Sequence, residues 1–286
     1  MNAPLGPTAA LVQSTLMMVA AVVLGIAVTL MLLSHLQHLV SQQNLENTLR
    51  AQLSAGTAPV SEGDVDDVLL KDGAPVAVID IPSIGLHEVI AEGTTSVVLK
   101  GGPGHRRDTV LPGQAGLSIV MGRAAAYGGP FARIQELTTG DTFTVITGQG
   151  EQTFEVIGVR YAGDTSPAPL QAGESRLTLE TARGPGFIPT GVARVDAELV
   201  SETKPSGKRQ TTYVSMGPSN KELAGDYSSV WALVFAVQLL IIVEVAAVWA
   251  LVRVGRRKTW VVFTPVAVLV GLLVADQVIT LLPNML

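Results

Sequence analysis

Three long apolar runs constrain what this chain can become. Thr8–Leu33 carries no charge, Val230–Val252 carries only Glu244, and Trp260–Leu282 carries only Asp276. Each exceeds the ~20 residues that a helix needs to cross a ~30 Å hydrocarbon core. Composition agrees: 15% of the residues are charged and mean hydropathy is +0.41, whereas soluble globules hold about 25% charged residues. The first run is longer than a signal-peptide core and has no basic residue before it, so the sequence predicts an uncleaved anchor. Between the second and third runs, Arg253, Arg256, Arg257 and Lys258 form a basic loop over 253–258. The positive-inside rule places that loop in the cytoplasm. A multi-pass plasma-membrane protein follows, with a cytoplasmic N-terminus, an extracytoplasmic middle and an extracytoplasmic C-terminus. Trp231 and Trp260 fall at span ends, where amphipathic rings are favoured.

The runs divide the chain into a transmembrane helix over 1–36, a stalk and acidic linker over 37–74, a β domain over 75–200, a linker over 201–228 and a transmembrane hairpin over 229–286. The leucines at 36, 39, 45, 49 and 53 fit a helical stalk. Ala55–Ala74 holds Asp64, Asp66, Asp67 and Asp72 without the spacing of a Ca²⁺ loop, and reads as solvated linker. From Pro75 the texture changes. Short runs appear at Val76–Ile81, Glu88–Ala91, Leu117–Met121, Thr142–Ile146, Thr153–Val159, Arg176–Glu180 and Ala193–Val200, separated by Gly and Pro turns. That pattern predicts an all-β barrel or sandwich.

Charge and cysteine content narrow the function classes. A formal net charge of −5 gives no general case for nucleic acid, and with no cysteine there is no disulfide, thiolate metal site or cysteine nucleophile. No metal or other cofactor is expected. Glu244 and Asp276 are costly in lipid and are candidate docking groups for a partner membrane protein, such as a transporter or wall-assembly enzyme. At 1.5 Å per residue they lie roughly 12 Å and 25 Å from the cytoplasmic end. Gln238 lies at a depth similar to that of Asp276. The alternative use of these groups is to stabilise the hairpin itself.

The stretch Lys100–Phe131 frames one buried strand, Leu117–Met121, with glycine turns. Around it the chain resembles the sortase family, in the actinobacterial style closest to class E. Ile81–Leu86 (IPSIGL), Glu92-Gly93-Thr94, Gly102-Pro103-Gly104-His105, Leu111-Pro112-Gly113, Tyr127–Phe131 (YGGPF), Leu137–Asp141 (LTTGD), Leu177–Thr181 (LTLET) and Ala197–Val200 (AELV) follow the family's motifs in order. The resemblance implies a sortase-like β-barrel and three catalytic positions. Where the family has histidine this chain has Arg123; where it has cysteine, Ala182; where it has arginine, Val192, with Arg194 two residues on and on the same strand face. Ala182 carries no nucleophile, and Arg123 stays protonated near neutral pH. Thr181 points to the opposite face of its strand from Ala182, and His105 reads as a turn or packing residue.

The resulting expectation is a protein that is not an enzyme: a sortase-like scaffolding subunit of a cell-envelope complex. Its groove residues Arg123, Arg194, Tyr127, Thr181 and His105 would bind a peptide or wall polymer. Arg123 either holds a carboxylate or phosphate or pairs with an acid such as Glu180. The alternative is a transpeptidase or hydrolase that uses other residues. The segment Leu282-Pro283-Asn284 lacks the Thr-Gly, spanning helix and basic tail of a sorting signal, so it reads as no substrate.

Overall fold

The computed structural model describes residues 20, 23–25, 27, 28, 32–64, 66, 68–185, 187–227 and 230–286. They fall into two compact units: 34–226 with 282–286, and 227–281 with the residues up to 33. Most of the expected span Thr8–Leu33 lies outside the described residues.

The first unit is built on eight strands: β1 Pro75–Ile81, β2 Leu86–Glu92, β3 Gly104–His105, β4 Gly116–Met121, β5 Thr142–Thr147, β6 Gly150–Arg160, β7 Ser175–Arg183 and β8 Gly191–Leu199. They close into a barrel in the order β1-β2-β3-β4-β7-β8-β6-β5. The pairs β2–β3 and β4–β7 are parallel and the others antiparallel. Alternation decides which side chains fill the interior. Ile79 and Ile81 of β1, Val120 of β4, Leu177 and Leu179 of β7 and Val195 and Ala197 of β8 share one buried cluster with Phe143 and Phe154. Those two rings face each other across the β5–β6 ladder and stack 5.6 Å apart. β3 was not expected, because two residues are too few to show a period.

Helix α1, Ser34–Ala55, has the length and position of the expected stalk but lies against the barrel. Its dockers are polar. His38 Nε2 sits 2.9 Å from Glu88 Oε1. Gln42 donates to the carbonyls of Val89 (3.1 Å) and Gly101 (2.8 Å), and accepts from Val89 N–H at 2.7 Å. Of the five leucines only Leu49 is buried. The acidic linker is likewise tied down: Glu62 accepts from the amides of Gln210 and Thr211, and Asp72 pairs with Arg107.

The second unit holds α2, Val230–Val254, and α3, Arg256–Leu281. Both are long and apolar enough to cross a membrane. Ala236 and Leu240 meet Val270 and Val274, so the helices fold back on each other. The expected basic loop over 253–258 is mostly helical. Gly255, with φ of +98°, is the one residue between the two helices.

Candidate functional site

Outward-facing residues of β4, β7 and β8 form the floor of a hollow on the barrel surface. Ile119 and Met121 of β4, Ala182 of β7 and Val192 of β8 belong to one apolar cluster with Leu99. Ala182 and Val192 are cross-strand partners, and the next pair along the same face is Glu180 and Arg194. Two of the three positions that the motifs single out are therefore adjacent, and Arg194 is two residues along the same face.

The third position, Arg123, comes from the loop that leaves β4. Gly122 begins that loop because a Cβ there would lie 2.5 Å from the Phe131 ring. Phe131 N–H then bonds back to Arg123 O at 3.0 Å and closes the turn. The Arg123 side chain is fully buried and pairs with no Asp or Glu side chain among the described residues. It donates instead to oxygens: Nε to Leu99 O (3.1 Å), Nη2 to Ser96 O (3.0 Å) and Ser96 Oγ (2.9 Å), and Nη1 to Leu286 O (2.9 Å). The Tyr127 ring lies 4.9 Å from the guanidinium, a cation–π distance. Burial lowers the Arg123 pKa to about 10, so the charge persists at neutral pH. Glu180 pairs with Arg194 (2.8 Å), which also holds Glu222 (2.5 Å). The expected alternative of an Arg123–Glu180 pair is thus replaced by a Glu180–Arg194–Glu222 bridge.

That bridge holds the titratable group of the hollow. Burial first, and then the Glu222 carboxylate, push the Glu180 carboxyl up to about 7 against the pull of Arg194. Glu180 and Glu222 together hold the Arg194 pKa above its ordinary value even though burial works against it.

The occupant of the hollow is peptide. Residues 282–286, Leu-Pro-Asn-Met-Leu, fold with the barrel. Met285 and Leu286 are buried among Leu99, Ile119, Met121, Ala182 and Val192, with Leu282 packed alongside. Ala124 N–H donates to Met285 O at 2.9 Å. Asn284 donates from Nδ2 to Thr94 O (2.7 Å) and Lys221 O (3.0 Å), and from its amide to Ala224 O (2.9 Å). Leu-Pro-Asn lacks the rest of a sorting signal, so its sequence alone does not mark the segment as a ligand. Glu222, Ser96 and Asn284 carry no local signal that marks them as site residues, and Glu180 is marked only as a partner for Arg123.

Other expected residues stand elsewhere. Thr181 faces the barrel interior and donates to Gly122 O at 3.0 Å. His105 is buried between Glu92 Oε2 (2.9 Å) and Val110 O (2.9 Å), in a structural setting. In the helical unit Gln238 is exposed, while Glu244 and Asp276 are half-buried. Gln277 makes a long 3.5 Å contact to Asp276 Oδ2. The described residues contain no cluster of three or more His, Asp or Glu that could hold a metal.

Comparison with known proteins fits this geometry. The profile of the Sortase domain matches residues 79–187. Sortase D of Bacillus subtilis is 31% identical over 113 residues, 39% of this chain and 56% of that protein. The chain thus spans little more than half of the curated relative it matches. Among solved structures, a Sortase D5 transpeptidase of Clostridium perfringens aligns at 23% identity, over 58% of this chain and 99% of that one, with a TM-score of 0.45. Sortase E1 of Streptomyces coelicolor, solved with a tripeptide in the active site, aligns at 28% identity, over 46% and 91%, with a TM-score of 0.39. Barrel, motifs and profile match together place a sortase domain over residues 79–187 of this chain.

The match also corrects an expectation. From Ala182 and Arg123 the chain reads as no enzyme. The sortase-domain match and the identity to Sortase D contradict that reading, and replacement at two motif positions does not establish a dead site.

Proposed function

We propose that this chain is a membrane-held, sortase-type protein of the cell envelope that receives a peptide segment in the hollow between β4, β7 and β8 and acts within transpeptidase chemistry. The observation that carries the reading is the peptide already seated there, its main chain held by Arg123 and Ala124. Main-chain recognition of this kind tolerates many side chains and fixes the carbonyls. A buried guanidinium also stabilises negative charge that develops on an oxygen seated beside it. Glu180 supplies a carboxyl titrating near neutrality, the range in which proton transfer is efficient. No thiol participates, because the chain has none.

Photo-crosslinking tests this reading. A photoreactive Leu-Pro-Asn-Met-Leu peptide, in excess over the full chain carrying Asn284→Ala to loosen residues 282–286, is expected to label residues around 119–124 and 180–194 in mild detergent, and adding Arg123→Ala is expected to remove the labelling. Labelling elsewhere, or none, overturns the reading. Adding an amine acceptor to the same samples reads transfer directly.

The hairpin takes part as the membrane anchor, with the basic residues about Gly255 on the cytoplasmic side and the barrel outside; support comes from the positive-inside rule. Gln238 is exposed on α2, and with the half-buried Glu244 and Asp276 it offers polar contacts to a second membrane protein. Purification in mild detergent is expected to recover that partner, and Gln238→Leu with Glu244→Leu to release it. Recovery of the chain alone rejects this role as a subunit.

A further inference from the structure

We propose that residues 282–286 are a resident, exchangeable ligand of the hollow: the chain's own Leu-Pro-Asn-Met-Leu segment closes the peptide site and must leave before another peptide enters. The proposal rests on the reading of the hollow as a peptide site and assigns that site its first occupant.

The segment is held as a bound peptide is held. Its apolar side chains, Met285 and Leu286, fill the cluster around Ala182 and are 0% and 3% exposed. Its main chain is read at two successive residues, Met285 O by the Ala124 amide and the Leu286 α-carboxyl oxygen by Arg123 Nη1. A turn closed by Leu286 N–H on Pro283 O (3.1 Å) presents those oxygens. One side chain gives the segment its register: Asn284 is fully buried, with Nδ2 shared between Thr94 O and Lys221 O.

The receiving surface is largely made without the segment. Arg123 is already held by Leu99 O and by both oxygens of Ser96, so it stays oriented when Leu286 O departs. Ala182, Val192, Ile119 and Met121 belong to barrel strands. Lys221 and Ala224, which grip Asn284, lie in irregular chain between β8 and α2. That same stretch carries Glu222, bonded to Arg194 beside the hollow. The covering side is therefore the part of the site without regular structure, and the floor is barrel strand.

A tethered ligand competes at an effective concentration set by its linker, in the millimolar range for short linkers. A free peptide meets an occupied site in the wild-type chain and an emptier one when the Asn284 anchor is removed. The test measures binding of a fluorescent Leu-Pro-Asn-Met-Leu peptide to the full chain in detergent, together with hydrogen exchange at the Ala124 amide. Asn284→Ala is expected to tighten peptide binding about tenfold or more and to speed Ala124 exchange, with saturating peptide restoring protection. Equal affinity in both proteins, with Ala124 deprotected in the variant, overturns the gating role and leaves the peptide site standing. No binding to a variant whose Ala124 is deprotected overturns the peptide site itself, and the gate with it. Met285→Ser serves as a second variant should Asn284→Ala fail to fold. Loss of the cooperative barrel transition in both would identify residues 282–286 as permanent core, which also overturns the proposal.

Discussion

Arg123 occupies the centre of the site with no Asp or Glu side chain beside it among the described residues. Its charge is compensated by four bonds to oxygens: the carbonyls of Leu99 and Ser96, Ser96 Oγ and the α-carboxyl oxygen of Leu286. Hydrogen bonds to charged groups are stronger than neutral ones, and removing one partner leaves the others buried and unsatisfied. Arg123→Ala is therefore expected to lower unfolding free energy by roughly 2–4 kcal/mol in denaturant titration; a change within experimental error would show that the carbonyls find other donors. Glu180 gives a pH signature. Its folded-state pKa, about 7, lies above its ordinary 4.5, so the folded state binds the proton more tightly than the unfolded chain. The stability linked to that proton is fully present below pH 4.5 and is lost as pH rises through 7, amounting to up to about 3 kcal/mol. The melting temperature of the wild type should fall relative to Glu180→Gln across that window. A constant difference between the two would reject the assignment.

At the scale of elements, the β7–β8 ladder brings Ala182 opposite Val192 and Glu180 opposite Arg194, and residues 282–286 lie over the first pair. Ala182→Cys would place a thiol under Met285. It is expected to react slowly with a maleimide in the otherwise wild-type chain and about tenfold faster when combined with Asn284→Ala; fast reaction in both would show that the segment does not shield this face. Helix α1 is a second instance of polar docking. Gln42 makes three bonds to the β2 and Gly101 backbone, so Gln42→Ala is expected to cost about 1–3 kcal/mol and to speed exchange at the Val89 amide. Unchanged exchange would mean that α1 is held by its other contacts.

The molecule as a whole joins a soluble-type barrel to two apolar helices. The chain is expected to stay in the membrane fraction after alkaline carbonate extraction, and release of the intact chain would refute anchoring by α2 and α3. Much of this plan was legible in the amino-acid order. Alternation placed seven strands, uninterrupted apolar runs placed α2 and α3, and the motifs from Ile81 to Val200 framed the hollow, because these features repeat over a few residues and depend on local stereochemistry and burial. The two-residue strand β3 left no such trace. Neither did the docking of α1, whose exposed leucines face away while His38 and Gln42 make the contacts. The position of Arg123 after β4 was readable; its partners were not. Ser96 and Leu99 come from one loop, Leu286 from 163 residues further along, and no local pattern links them. The sequence alone determined a barrel with apolar helices and a motif frame lacking cysteine. Tertiary structure alone decided that Leu-Pro-Asn-Met-Leu fills that frame, because a peptide finds its groove through closed-barrel geometry and long-range hydrogen bonds, which exist only once the chain has folded.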